Sequence, residues 1–299
     1  MRRAHIDAVA GAAQRLAVLL GAGVAPATAW QYLDGAGTVA AVAARTDTGD
    51  SVVAAIVAEA RGPEHEAWTG LAAAWQVASD AGAPLAPTLR SFAASLRAFA
   101  EASRSAESAL AAPVATARMV MVLPGVGVLF GMALGFDVLG TLFTTAPGLI
   151  CLSIAAMLLV TAWRWNRRLV AAAQPTELTP GLRAELTAIA VSGGASLDRA
   201  RTSVVDALAV ASLDLDAQVA EVESVLELSH RAGVPAAELL RSQAEEARRE
   251  AASAAGRRAS VLAVRLMLPL GVCILPAFML LGVAPLLLSV VSSTLTGFP

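Results

Sequence analysis

The sequence predicts an all-α, polytopic membrane protein with two repeated cytoplasmic helical bundles and about three transmembrane helices. Three observations carry that prediction. The 299 residues are 57% hydrophobic and only 15% charged, well outside the balance of soluble domains. Long stretches are free of charge, and two polar segments repeat one helix–corner–helix pattern.

The composition also excludes several functions. All 22 basic residues are arginine, and 24 acids leave a net charge of −2. Without lysine there is no Walker A phosphate loop, no kinase-type lysine and no Schiff base. Near-neutral charge with 4% aromatics lacks the basic, ring-bearing face of a nucleic-acid binder, so no nucleic-acid partner is expected. Cys151 and Cys273 lie in apolar stretches and read as small hydrophobes, not as a disulfide framework.

The chain opens with a segment that imitates a signal peptide. Arg2-Arg3 precedes an alanine-rich run and Ala27-Thr28-Ala29, but Gln14 and Arg15 interrupt the apolar core. An amphipathic helix is the better reading. Residues 1–113 form the first expected cytoplasmic bundle. Within it, Asp34 to Asp50 is rich in Gly, Thr and Ala and reads as a linker.

Residues 114–168 are the expected membrane hairpin. Eighteen uncharged residues separate Arg118 from Asp137, and 26 separate Asp137 from Arg164. About 20 apolar residues cross a ~30 Å hydrocarbon core, so spans are expected near 118–136 and 146–164, with a turn around Asp137, Gly140 and Pro147-Gly148. Arg118, Arg164, Arg167, Arg168, Arg257, Arg258 and Arg265 flank the apolar stretches, whereas the hairpin turn carries only Asp137. By the positive-inside bias both polar segments face the cytoplasm.

Residues 169–260 form the second expected bundle, entered through another linker, Val170 to Gly181. Overlaying 75–92 on 226–243 gives seven identities in eighteen positions: Ala81/Ala232, Gly82/Gly233, Pro84/Pro235, Ala86/Ala237, Leu89/Leu240, Arg90/Arg241 and Ser91/Ser242. Gly82 and Gly233, each able to take a left-handed conformation, are expected to stop a helix, and Pro84 and Pro235 to open the next at its first position, where a missing N–H costs nothing. Upstream, Leu16–Pro26 has a counterpart in Leu186–Leu197, with Ser196 as an N-cap.

After each corner runs a helix stripe. In the first copy it is Leu85, Leu89, Phe92, Leu96, Phe99, Ser103, Ala106 and Leu110, with Pro113 as a candidate break. In the second it is Leu240, Ala244, Ala247, Ala251 and Ala254, small enough for close helix approach. Residues 261–299 supply the third membrane segment and a tail: 34 uncharged residues follow Arg265, and Pro269, Pro276 and Pro285 predict a kinked or tilted helix. Leu268-Pro269 repeats Leu123-Pro124 of the first span.

Candidate chemistry is sparse. His5, His65 and His230 are scattered; Glu64-His65-Glu66 lacks the second histidine that a zinc-protease helix requires and reads as a solvated loop or helix start. Ser229-His230 has no nucleophile elbow. No catalytic, cofactor or metal residues are expected. The remaining charge pattern is a run of acids, Asp206, Asp214, Asp216, Glu221, Glu223 and Glu227, followed by an arginine-richer stretch. It reads either as a solvated bundle face or as a docking surface for a charged partner.

The repeat and the hydrophobic ending Leu268-Pro-Leu-Gly-Val-Cys-Ile-Leu-Pro-Ala-Phe-Met-Leu-Leu-Gly-Val-Ala-Pro285 resemble the type II secretion system F family, and within it the inner-membrane platform proteins of tight-adherence (Tad) pili. The likeness spans nearly the whole chain and is most specific from Gly233 through Pro285. Many Tad platform chains carry a single F-type domain and more flanking spans, and the first copy here is degenerate around Asp34 to Pro63.

The resemblance implies a scaffold without enzymatic activity in the cell inner membrane. It would be a homo- or hetero-oligomer with other platform subunits, coupling a cytoplasmic secretion ATPase to extraction of pilin subunits from the lipid bilayer. Arg90, Arg241 and the acids from Asp206 to Glu227 are then the candidate partner contacts. A permease subunit of a transporter is the alternative from another class; it would normally place its repeat in the spans.

Overall fold

A computed structural model describes residues 2–135, 138–172, 180–285 and 287. Among them every regular element is helical. Asp137 and the tail after Leu287 lie outside the described residues, as does most of the second linker.

The elements group into two compact units. The first comprises residues 1–103 and 175–253, the second 104–174 and 254–299. Thus the polar segments expected as two separate bundles are gathered into one unit.

In the first unit, α1 (Arg2–Gly21) is amphipathic as expected. Ile6, Val9, Ala10, Ala13, Leu16 and Ala17 are buried at helical spacing, whereas Arg15 is exposed. Then come α2 (Pro26–Gln31), α3 (Thr38–Asp47) and α4 (Val52–Glu59). Here the linker expected over Asp34–Asp50 is corrected: it holds α3, which buries Val39, Val42 and Thr46. Burial of Val39 and Val42 in the core, with Thr46 buried beside them and its hydroxyl bonded to the Ala43 carbonyl, outweighs the weak propensity of the segment's Gly and Thr. The solvated start expected around Glu64-His65-Glu66 is a 3₁₀ turn (Gly62–Glu64) leading into α5 (His65–Asp80). There His65 Nδ1 lies 2.8 Å from the Ala60 carbonyl, and Trp68 Nε1 donates to Glu64.

Two helices form the centre of this unit. α5 buries Ala67 through Trp75, Val77 and Ala78. α9 (Leu182–Ser192) buries Leu182 and every residue from Ala184 to Ala190. A helix buried on all its faces must be enclosed by neighbours on all sides. Accordingly Leu182, Leu186, Ile189 and Ala190 join the large core built by α1–α5, while Ala184 and Ala188 pack with Val222, Val225, Leu226, Leu240 and Ala244. One helix of the second polar segment therefore needs the first to complete its burial, which explains why the two fold as one unit. Each fully buried Leu or Ile contributes about 1.5–3 kcal/mol to holding them together.

Around this centre lie α10 (Leu197–Val210), a 3₁₀ turn (Asp216–Gln218), α11 (Val219–Ala232) and the start of α12 (Ala236–Arg265). Ser196 caps α10 through the Arg199 N–H, as expected.

In the second unit, α6 (Leu85–Ala133), which begins in the first unit, runs on without ending at Pro113. One missing N–H bends a 49-residue helix more readily than it stops it. The turn after it differs from a simple hairpin. The helix breaks at Leu134-Gly135, where Gly135 has φ 87°, and α7 (Val138–Thr144) departs at 114°. Then α8 (Ala146–Ala172) begins behind Thr145, whose hydroxyl accepts from the Gly148 N–H.

After α12 the chain continues as α13 (Met267–Pro269) and α14 (Leu275–Phe278), with π-helical turns at Leu270–Ile274 and Met279–Val283. Pro269 and Pro276 each bring no N–H to the helical ladder, and a π-helical turn follows each of them. Gly127 of α6 faces Gly282: a Cβ at Gly127 would stand 3.4 Å from the Gly282 Cα and 2.9 Å from the Phe278 ring. Glycine on both sides permits the close helix approach typical of packing in lipid.

Two helical stretches, Ala146–Ala171 and Ala236–Val283, are long and apolar enough to cross a membrane, and a third is present if Met119–Ala133 and Val138–Thr144 make one bent span.

Candidate functional site

The two corners have matching geometry. Gly82 has φ 65° and Gly233 φ 67°, the left-handed region where glycine pays no Cβ penalty. After each, a six-residue backbone bond closes the turn: Ala83 N–H to the Ala78 carbonyl at 2.9 Å, Val234 N–H to the Ser229 carbonyl at 3.3 Å. Pro84 and Pro235 stand one residue before the helices they were expected to open, and their carbonyls accept the first helical N–H groups. At the second corner Ser229 is buried and donates to the Val234 carbonyl at 2.7 Å, so its hydroxyl closes the turn.

The paired arginines sit alike. Arg241 is exposed and donates to Ser192 Oγ at 2.7 Å, at the C-terminal end of α9. Arg90 is also exposed, its Nη2 4.0 Å from where a Gly21 Cβ would stand, at the C-terminal end of α1. Each guanidinium thus lies beside the carbonyl-rich end of the helix that opens its own copy, where a cation is favoured.

The run of acids divides into two kinds. Glu223 binds Arg201 through both carboxylate oxygens, with Arg201 Nε to Oε1 at 2.9 Å, and Asp198 joins through Nη1 at 3.0 Å. The hydrogen bond that Arg201 donates to Glu223, chiefly, holds its guanidinium above its ordinary value, against the opposing effect of burial. Asp216 is 3.5 Å from Arg183, and Asp214 accepts from the Asp216 N–H at 3.1 Å. Asp206, Glu221 and Glu227 are exposed and have no ion-pair partner among the described residues. Glu223 and Glu227 line an open groove between α10 and α11, with Leu197, Arg201, Ser224 and His230. The candidates therefore do not converge on one point.

A buried cluster that the sequence did not single out does converge. Glu185 of α9 has a side chain only 6% exposed. Ser91 Oγ donates to its Oε1 at 2.5 Å, Ser95 Oγ to Oε2 at 3.1 Å, and Arg248 Nη1 to Oε2 at 2.8 Å. Ser91 and Ser95 are one turn apart on α6, and Arg248 comes from α12. Three helices thus meet at one carboxylate that accepts three hydrogen bonds, in a site walled by Phe92, Leu96, Phe99 and Leu182. A carboxylate so occupied is suited to fixing the register of three helices, not to proton transfer or nucleophilic attack.

No protein-family model matches the chain, and no curated protein or solved structure matches it either.

Proposed function

We propose that this chain is an inner-membrane platform protein of a Tad pilus, type IV pilus or type II secretion-like machine. In this reading it is a scaffold without enzymatic activity, and its polar unit faces the cytoplasm. There it receives a secretion ATPase, while the apolar helices sit beside pilin subunits and other copies of the platform in the bilayer.

The observation that carries the reading is the pair of matched corners, Gly82-Ala83-Pro84 and Gly233-Val234-Pro235. Each launches a long helix, α6 or α12, that begins in the polar unit and ends in the apolar one. Two such helices are a physical means by which work at a cytoplasmic bundle reaches the membrane. The arginine-flanked spans support the cytoplasmic orientation. The unpaired acids Asp206, Glu221 and Glu227, with Arg90 and Arg241, are the proposed contacts for the ATPase.

The test is charge reversal of Asp206, Glu221 and Glu227, and separately of Arg90 and Arg241, in the full chain. ATPase co-purification and pilus assembly are expected to fall together while membrane insertion is retained. Unchanged co-purification and assembly would refute the docking surface. Substrate-dependent transport by the purified chain in liposomes would instead favour a permease.

A further inference from the structure

We propose that the second unit holds a binding site for the phosphate headgroup of an anionic phospholipid, where the C-terminal parts of α8 and α12 meet. Arg257, Arg258 and Arg265 of α12 line a pocket of about 340 Å³ together with Leu169, Ala254, Val261 and Leu262. Those positions fall at three- and four-residue steps along α12, so the pocket follows one helix face. Its wall contains no carboxylate. All three arginines are exposed and have no ion-pair partner among the described residues.

The sequence removes the usual neighbours that would neutralise them. No Asp or Glu occurs from 138 to 176 or from 251 to 299, yet Arg164, Arg167, Arg168, Arg257, Arg258 and Arg265 lie in those stretches. None of the six has an ion-pair partner among the described residues, so each guanidinium is open to an anionic ligand.

What lies beside the pocket selects a lipid over a free anion. Leu169 and Val170 pack against Leu262 and Leu266, forming an apolar floor. Val261 in the pocket wall and Val264, Met267 and Leu268 further along the chain are exposed, a surface for an acyl chain. On α8, Trp163 and Trp165 are exposed, and Arg167 stands 4.8 Å from the Trp163 ring centroid. Aromatic rings and arginines at the end of an apolar helix are the pattern of a headgroup boundary. Basic pockets between membrane helices recognise anionic headgroups in this way.

The inference rests on the reading of α8 and α12 as membrane helices, and the experiment separates the two. The full chain is placed in nanodiscs of equal phosphatidylglycerol and phosphatidylethanolamine, released into mild detergent, and its retained lipids are measured by mass spectrometry. Phosphatidylglycerol is expected to be enriched more than about tenfold over phosphatidylethanolamine. Replacing Arg257, Arg258 and Arg265 by Gln abolishes the enrichment. Lysine at the same three positions keeps most of it, which separates lost charge from lost folding. Replacing the remote, exposed Arg61, Arg199 and Arg231 by Gln leaves it unchanged.

Lipids retained in the mixing ratio, or equal loss in the site and remote Gln variants, would overturn the site. So would displacement of the lipid by inorganic phosphate, which would make the ligand a free anion. Release of the chain from native membranes by alkaline carbonate would overturn the membrane reading itself.

Discussion

Arg248 Nη1 reaches Glu185 Oε2 at 2.8 Å, and the two side chains are only 19% and 6% exposed. Placing two ions there is expensive, and two serine hydroxyls that also donate to the carboxylate offset part of that cost. Removing one ion leaves the other buried and uncompensated. Glu185→Gln or Arg248→Gln should therefore destabilise the detergent-solubilised chain by about 3–5 kcal/mol, read from denaturant unfolding monitored by circular dichroism. The double variant Glu185→Leu with Arg248→Met should recover most of that loss, and failure to recover would show that the ions contribute beyond satisfying each other.

Arg201 and Glu223 make the contrasting case. Their side chains are 42% and 43% exposed, so water screens the pair despite its two-pronged geometry. A double-mutant cycle with Arg201→Gln and Glu223→Gln should give a coupling below about 1 kcal/mol that shrinks as salt rises. The raised guanidinium value fixes the sign of its pH dependence. Stability from Arg201 is fully present below the ordinary arginine value and is lost only above it. Its contribution to the measured coupling should therefore be flat across about pH 6 to 9.

Two glycines separate steric need from conformational need. Gly82 has φ 65° but nothing within 4 Å of its Cβ position. Gly193 has an ordinary φ of −75°, yet a Cβ there would stand 2.2 Å from the Ala81 carbonyl oxygen. Gly82→Ala should cost about 1–2 kcal/mol. Gly193→Ala must push apart the ends of α9 and α5 and should cost more, beyond about 3 kcal/mol. Thermal unfolding of both variants gives the order, and the reverse order would contradict the packing at the corner.

The Gly127–Gly282 contact predicts a similar grading within the second unit. Gly282→Ala meets only ordinary contact distances, the nearest being 3.5 Å to the Phe278 ring. At Gly127 the ring is 2.9 Å away. Gly282→Ala should leave melting in detergent within about 1 kcal/mol of the parent, whereas Gly127→Leu should lower it by about 1–3 kcal/mol.

Much of this was legible in the sequence because it depended on local rules. The apolar periodicity of α1, the glycine-to-proline corners and the cap at Ser196 follow from spacing and backbone preference alone. The charge-free stretches likewise located the apolar helices, and Asp137 marked the turn close to the break at Leu134-Gly135, although the short helix α7 within the expected turn was not visible.

Tertiary relations were hidden. Glu185 stands in the first turn of α9, where an acid reads as a partner for the helix dipole, so nothing marked it as the centre of a buried cluster. Ser91 and Arg248 appeared only as a repeat identity and a member of a basic stretch. The sharing of one core by the two polar segments also escaped local reasoning. It is visible only once Leu182, Leu186 and Ile189 are seen among the side chains of α1–α5. A linker composition over Asp34–Asp50 misled because burial of Val39, Val42 and Thr46 overrides propensity.

The central claim is that the unit formed by residues 1–103 and 175–253 lies wholly on the inner side of a membrane that the apolar helices cross. The most direct measurement is thiol labelling in a background with Cys151→Ala and Cys273→Ala, using Ala36→Cys and Ala217→Cys, both at exposed positions of that unit. The account predicts that a membrane-impermeant maleimide labels both only after the cells are lysed. Labelling of either position in intact cells would contradict it.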